Sequence, residues 1–257
     1  MKAIILAGGK GTRLSEETEV KPKPMVEIGG SPIIWHIMKI YTSYGITDFI
    51  ICCGYKSYVI KEYFANYFLH SSDVTIDLKE NSMNFHHKRA EPWTITLVDT
   101  GNSSMTGGRL LRVRDFLKNE NQFCFTYGDG LADLNVNKLI EFHIFHKKVA
   151  TLTAAIPEGR YGHMSIENNK VKEFREKHQK DFSLVNGGFF VFSKDIFDYI
   201  EDDHTILEEY TLPKLASIGE LMAYRHEGFW QAMDTLRDRD QLNDLWNNNK
   251  APWKNWD

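Results

Sequence analysis

The chain has 257 residues, 42% of them hydrophobic, enough to bury one large α/β core or a core with an appendage. Its net charge of −4 leaves no basic excess for the backbone of a nucleic-acid polymer or for an anionic membrane surface, so neither is expected as a partner. The three cysteines, Cys52, Cys53 and Cys124, are odd in number and lie in apolar runs, which predicts buried thiols in a reducing, cytoplasmic setting. The apolar run Ala3 to Leu6 is too short for a signal-peptide core or a membrane span.

Lys2 to Leu6, Asp48 to Cys53 and Gln122 to Tyr127 are short apolar runs rich in β-branched or aromatic residues and read as buried parallel strands. Helical spacing marks Pro32 to Tyr44, Ser57 to Leu69 and Gly108 to Leu117 between them. This β-α-β alternation predicts a doubly wound α/β sheet. Val136 to His146 reads as a further helix and Ala150 to Ile156 as a strand. The texture then changes, because His163 to Glu167, Lys170 to Glu176 and Leu184 to Phe192 follow one another as strands, which implies a mixed or antiparallel extension. Helical patterns return at Leu207 to Ser217 and Leu236 to Asn247. The polar segment Asn81 to Trp93 is expected to be a loop, a lid or a subunit contact. No repeat or linker divides the chain.

Leu6-Ala7-Gly8-Gly9-Lys10-Gly11-Thr12-Arg13 follows the first strand, and its three glycines let backbone N–H groups approach phosphate oxygens. It has neither the P-loop spacing nor the dinucleotide fingerprint, and by itself it is equally compatible with a plain glycine turn. Lys21-Pro22-Lys23-Pro24 adds two lysines, each held extended by the proline after it, unless the stretch is simply a solvated polyproline-like surface. Asp129, in Tyr-Gly-Asp-Gly, and Asp234, in Trp-Gln-Ala-Met-Asp-Thr, each follow an apolar run, at the carboxyl end of a strand where open α/β sheets bind ligands. The ordinary alternatives are a turn residue at Asp129 and a helix cap at Asp234 or Thr235.

The run Leu-Ala-Gly-Gly-Lys-Gly-Thr-Arg-Leu followed by Lys-Pro-Lys-Pro-Met resembles the signature of the sugar nucleotidyltransferases, with further matches to about position 235. The resemblance implies a Rossmann-like doubly wound mixed sheet with a smaller antiparallel sugar-binding extension. It implies a single domain, its nucleotide-binding part at about 1–150, its sugar-binding part at about 151–235 and a closing helix at about 236–257. The implied reaction is attack of a sugar 1-phosphate on the α-phosphorus of an NTP, with release of pyrophosphate. Arg13 then holds the departing pyrophosphate, Lys23 contacts phosphate at the reacting centre, and Leu6 to Arg13 with Gly128 bind the nucleotide. Asp129 and Asp234 match metal-binding aspartates, for which Mg²⁺ is the implied ion. Glu176 and Lys177 resemble a sugar-site Glu-Lys pair, although His178 stands where a proline is common. Gly162, Asn186 and Gly187 resemble sugar-pocket positions.

Cytosine presents only acceptors at O2 and N3, so a side chain that can only donate favours it, and Arg109 and Arg112 are such side chains. The stretch Asp99 to Arg109 resembles the cytidylyl branch more than the thymidylyl or uridylyl branches, adding Ser104 and Arg109 to the nucleotide site. That branch implies CTP and glucose 1-phosphate as substrates, CDP-glucose as product for a bacterial surface polysaccharide, and a homo-oligomeric enzyme. Competing readings are a uridylyl- or thymidylyltransferase, a non-catalytic nucleotide-sugar sensor on the same fold, and a zinc site built on His86-His87 or His143 and His146.

Overall fold

The computed structural model describes residues 1–11, 14–86, 90–157, 163–167, 170–175 and 184–256. Seven strands form the main sheet: β1 (Ala3–Ala7), β2 (Asp48–Cys53), β3 (Thr94–Asp99), β4 (Gln122–Tyr127), β5 (Ala150–Ala155), β6 (Val185–Ser193) and β7 (Leu221–His226). Their spatial order is β7-β5-β6-β4-β1-β2-β3. Only β6 runs antiparallel to its neighbours β4 and β5, and the remaining pairs are parallel. The chain lays β2 and β3 on one side of β1 and β4 on the other, so strand order reverses at β1. In an open α/β sheet this reversal opens a crevice beyond the carboxyl ends of the strands.

The central strands are apolar on both faces because both faces are covered. Ile5, Ile51 and Cys124 face α1 (Ile33–Thr42), which buries Ile33, Ile34, Ile37, Met38, Ile40 and Tyr41. Ile4, Ile50 and Phe125 face the other way, onto Leu110, Val113, Ile196, Leu207 and Leu215. Period-two alternation along β1 thus feeds two cores from one run of aliphatic residues. Cys52, Cys53 and Cys124 are buried free thiols, as expected.

Several boundaries differ from the sequence expectation. The helix predicted over Ser57 to Leu69 breaks at Asn66 into Ser57–Ala65 and Tyr67–Ser71. The one predicted from Gly108 starts two residues earlier, as α2 (Thr106–Arg112), then tightens into the 3-10 turn Arg114–Leu117. Gly107 and Gly108 lie inside α2 because the backbone of Asp203 and Thr205 passes where their Cβ atoms would stand. Leu207–Thr211 is a π-helical turn leading into the α-helix Leu212–Ser217. Of the three consecutive strands predicted after residue 162, His163–Glu167 and Lys170–Arg175 form a two-stranded antiparallel sheet. The third, β6, is instead a central member of the main sheet, which makes that sheet mixed.

The polar segment at 81–93 is partly a strand, Ser82–His86, paired with Asp73–Asp77; residues 87–89 lie outside the described residues. Its end is anchored, since Lys39 pairs with Glu91 at 2.9 Å and Trp93 Nε1 donates to Thr42 Oγ1 at 2.7 Å. His143 and His146 converge on the Thr151 hydroxyl at 2.9 and 2.7 Å, and His86 meets Thr75. Among the described residues, no helix is long and apolar enough to cross a membrane.

Candidate active site

A cavity of about 630 Å³ opens where the strand order reverses. Its floor is the glycine loop after β1, and every described member of that loop, Leu6, Ala7, Gly8, Gly9, Lys10 and Gly11, lines it. Lys23, Ser104, Arg109, Gly128, Asp129 and Asp234, all named from the sequence, line the same cavity. Thr12 and Arg13 lie outside the described residues, as do Gly162, Glu176 and Lys177.

The loop is fastened from behind by Arg109. This side chain is only 5% exposed, and its Nη2 donates to the Gly8 carbonyl at 3.0 Å. Its Nη1 donates to Thr100 Oγ1 and to the Gly101 carbonyl, each at 2.8 Å. A Cβ on Gly8 would fall inside the guanidinium, so glycine there is a packing requirement. Burial lowers the pKa of Arg109, but a guanidinium titrates so high that it remains charged. Arg109 therefore does not project freely into the cavity: it ties the β1 loop to the β2 and β3 ends of the sheet. Arg112, the other candidate, is committed to Asp203, its Nε donating to Oδ1 at 2.8 Å.

The two lysines of the Lys-Pro-Lys-Pro stretch part company. Lys23, expected to be held extended by the proline after it, instead opens the 3-10 turn Lys23–Met25, which follows an extended Pro22 (φ −67°, ψ 150°). Lys21 turns out to Glu27 at 3.1 Å. Lys23 turns in, its Nζ donating to Asp129 Oδ2 at 2.6 Å and to Asp234 Oδ1 at 2.7 Å. Burial works against its charge, and the two carboxylates more than compensate, so its pKa lies above the ordinary value.

Asp129 and Asp234 are brought together by a short ladder. Gly130–Ala132 pairs antiparallel with Trp230–Ala232, placing Ala232 opposite Gly130, and Met233 N donates to the Asp129 carbonyl at 2.8 Å. Thr235 caps α3 (Leu236–Asn247) in a reciprocal capping box with Asp238, whose carboxylate also accepts from Asp234 N at 3.1 Å. The capping role raised for Asp234 or Thr235 thus belongs to Thr235. Asp234 keeps its carboxylate on Lys23.

Lys23 Nζ demonstrates that a cation fits between the two carboxylates. Among the described residues no third His, Cys, Asp or Glu converges there. An oxygen-only pair of this kind suits a hard divalent ion whose remaining ligands are phosphate oxygens and water.

Asn186 and Gly187, expected on the sugar side, are not in the cavity wall but directly behind it. Asn186 Nδ2 donates to the Tyr127 hydroxyl at 3.1 Å, and the Gly187 carbonyl accepts from Trp230 Nε1 at 2.7 Å. Tyr127 and Thr106 line the cavity and escaped the sequence reading, as did Glu208, to which both donate. Tyr127 is the residue before Gly128-Asp129, which was the one available signal for it.

A family model described as nucleotidyl transferase matches residues 2–249. The chain is 62% identical over 257 residues to the glucose-1-phosphate cytidylyltransferase of Salmonella typhi, covering all of both chains. It is likewise 62% identical, again over both full lengths, to that of Salmonella typhimurium. Among solved structures, HddC from Yersinia pseudotuberculosis complexed with GMP-PN matches with a TM-score of 0.70 at 22% identity, over 95% of this chain and 99% of that one, a likeness of fold. Glycine loop, lysine and paired aspartates at the switch point of a mixed sheet, in a chain matched from residue 2 to 249, mean that this protein belongs to the nucleotidyl transferase family.

Proposed function

We propose that the protein transfers a cytidylyl group from CTP to α-D-glucose 1-phosphate, giving CDP-glucose and pyrophosphate. The observation that carries this reading is the meeting of Lys23 with Asp129 and Asp234 beside the glycine loop, in a chain similar throughout to enzymes named for that reaction. A single unit for both parts is supported by the sheet that β5, β6 and β7 of the assigned sugar-binding part share with the nucleotide-side strands.

Two anionic substrates must approach one another, so the site has to cancel charge where phosphates meet. The glycine loop offers backbone N–H groups to the triphosphate, and Arg13 holds the departing pyrophosphate. Asp129 and Asp234 would hold Mg²⁺, which would supply positive charge to neutralise the phosphates. Lys23 swings from the carboxylates to the reacting phosphate, carrying its positive charge to where negative charge accumulates. Ser104 and Arg109 line the cavity and are assigned to the base, with the second Nη2 proton of Arg109, beyond the one spent on Gly8, as the donor suited to a cytosine acceptor. Asn186, Gly187, Gly162, Glu176 and Lys177 serve the sugar phosphate.

Pyrophosphate release is measured with Mg²⁺, glucose 1-phosphate and each NTP in turn. The expected result is fastest release with CTP. Release led by UTP or dTTP overturns the base assignment, and no release with any NTP overturns the activity.

A further inference from the structure

The glycine loop, Lys23 and the two aspartates account for the charged part of the cavity, but of the wall at 102–106 only Ser104 has a role in the chemistry described above. All five residues of that run, Asn102, Ser103, Ser104, Met105 and Thr106, line the cavity, and none is ionic. Met105 differs from the rest. It is 44% exposed, and among the described residues it is the one large apolar side chain of the lining that is exposed. It joins neither of the two cores. An apolar side chain left bare in a cavity wall gains when a ligand covers it.

That exposure comes from a fixed backbone. Met105 N donates to the Asp203 carbonyl at 2.9 Å, its own carbonyl accepts from Arg109 N at 2.9 Å, and Gly107 N donates to the Thr205 carbonyl at 2.9 Å. Met105 occupies the cap position at the start of α2, with extended backbone (φ −83°, ψ 179°) and no side-chain bond to the helix. Serine, threonine, asparagine and aspartate are favoured there because their side-chain oxygen accepts from a free backbone N–H, and methionine gives that up. A local rule broken in a cavity wall points to a side chain kept for a ligand. The thioether is soft and polarisable, and it packs well on aromatic rings.

We infer that Met105 is a platform for the nucleobase: the flat face of the base lies on the thioether, one helical turn ahead of the buried Arg109. The ligand class rests on the function proposed above. Of the two substrates named there, only the nucleotide carries an aromatic face, whereas the sugar phosphate and the triphosphate offer hydroxyls and anionic oxygens. Stacking reads no hydrogen-bond pattern, so Met105 holds whichever base the polar groups of the cavity admit.

Oxidation of the full-length protein by dilute hydrogen peroxide, followed methionine by methionine with mass spectrometry, reads whether Met105 is covered. CTP with Mg²⁺ is expected to slow sulfoxide formation at Met105 about fivefold or more, and pyrophosphate with Mg²⁺ by less than about twofold. Neither is expected to change Met83, which is 55% exposed and outside the cavity lining. Pyrophosphate protecting Met105 as well as CTP does, or no protection by any nucleoside triphosphate, overturns the inference. Kinetics give a second reading. Met105→Ser supplies a preferred helix cap, so its urea midpoint is expected not to fall, while the KM for CTP rises about fivefold and that for glucose 1-phosphate changes by less than about twofold. Met105→Leu keeps the apolar surface and is expected to hold the KM for CTP within about twofold. An unchanged KM for CTP in the serine variant, or a parallel rise in both KM values, overturns the inference as well. Protection requires binding and not turnover, so a protein that CTP protects but that releases no pyrophosphate keeps Met105 in this role and loses the proposed activity.

Discussion

Lys23 is bonded to two carboxylates at once, and that places it in competition with a metal. Its Nζ lies 2.6 Å from Asp129 and 2.7 Å from Asp234, in the space a divalent ion would need to use the same two side chains. Metal and ammonium exclude one another there, so metal bound by both aspartates requires the lysine to leave, and a nucleotide phosphate gives it somewhere to go. Lys23→Met keeps the bulk of the side chain and removes the competitor. Without nucleotide, this variant is expected to bind Mn²⁺ about tenfold or more tightly than the unsubstituted protein, measured from the EPR signal of free Mn²⁺. Equal affinities would show that the ammonium does not guard the site. Lys23, Asp129 and Asp234 were all legible in the sequence, because each sits in a short motif whose chemistry is carried by the side chain itself. Arg109 was legible only as a donor. Besides the Thr100 hydroxyl, its partners include the carbonyls of Gly8 and Gly101, backbone groups that no residue letter displays.

At the scale of elements, the position of Asp234 depends on a three-residue ladder on one side and a helix start on the other. The ladder between Gly130–Ala132 and Trp230–Ala232 is too short to leave a periodic trace, which is why the sequence showed two separate aspartates and not one site. The helix start was visible as a cap at Asp234 or Thr235, without the reciprocal partner Asp238 that completes it. Asp238 Oδ2 accepts from Thr235 N at 2.8 Å and from Asp234 N at 3.1 Å, so the cap and the site residue share one anchor. Thr235→Ala is expected to cost about 1 kcal/mol, read as a lower urea midpoint with an unchanged denaturant slope, and to lower turnover because Asp234 loses part of its support. Thr235→Ser, which keeps the capping oxygen, is expected to retain both; a serine variant as impaired as alanine would assign the effect to the lost methyl group. Among strands, the interior members β1, β2 and β4 were legible as continuous apolar runs. The edge strands β3 and β7 were not, because neither is a continuous buried run: Ile95 to Val98 are all only half-buried, and Met222 and Tyr224 alternate with the exposed Ala223 and Arg225.

Across the whole molecule, the C-terminal segment packs back onto His36. This histidine lies on α1, beneath the sheet, fully buried. Trp246 of α3 and Trp253 beyond it stand edge-on to its ring at 4.7 and 6.2 Å. His36 Nε2 donates to the Ile28 carbonyl at 2.8 Å, and Nδ1 accepts from Trp253 Nε1 at 3.4 Å, an arrangement open only to the neutral ring. Burial accordingly pushes its pKa down from 6.5 to about 4, against the pull of the hydrogen bonds. In the unfolded chain the imidazole takes a proton near its ordinary value, so between pH 6.5 and 4 the unfolded state binds more protons than the folded one. Stability is therefore lost as pH falls through that window, and the loss due to this one residue is on the order of 3 kcal/mol by its lower end. Carboxylates titrate over part of the same range, so the measurement is a difference. His36→Gln retains an N–H for Ile28 and a carbonyl for Trp253 but cannot titrate. Its unfolding free energy, from urea titrations between pH 7 and pH 4, is expected to fall less steeply than that of the unsubstituted protein, with the two pH profiles diverging most near pH 4. Parallel profiles would show that the junction between the C-terminal tryptophans and α1 tolerates a charge, and that acid loosens the molecule elsewhere.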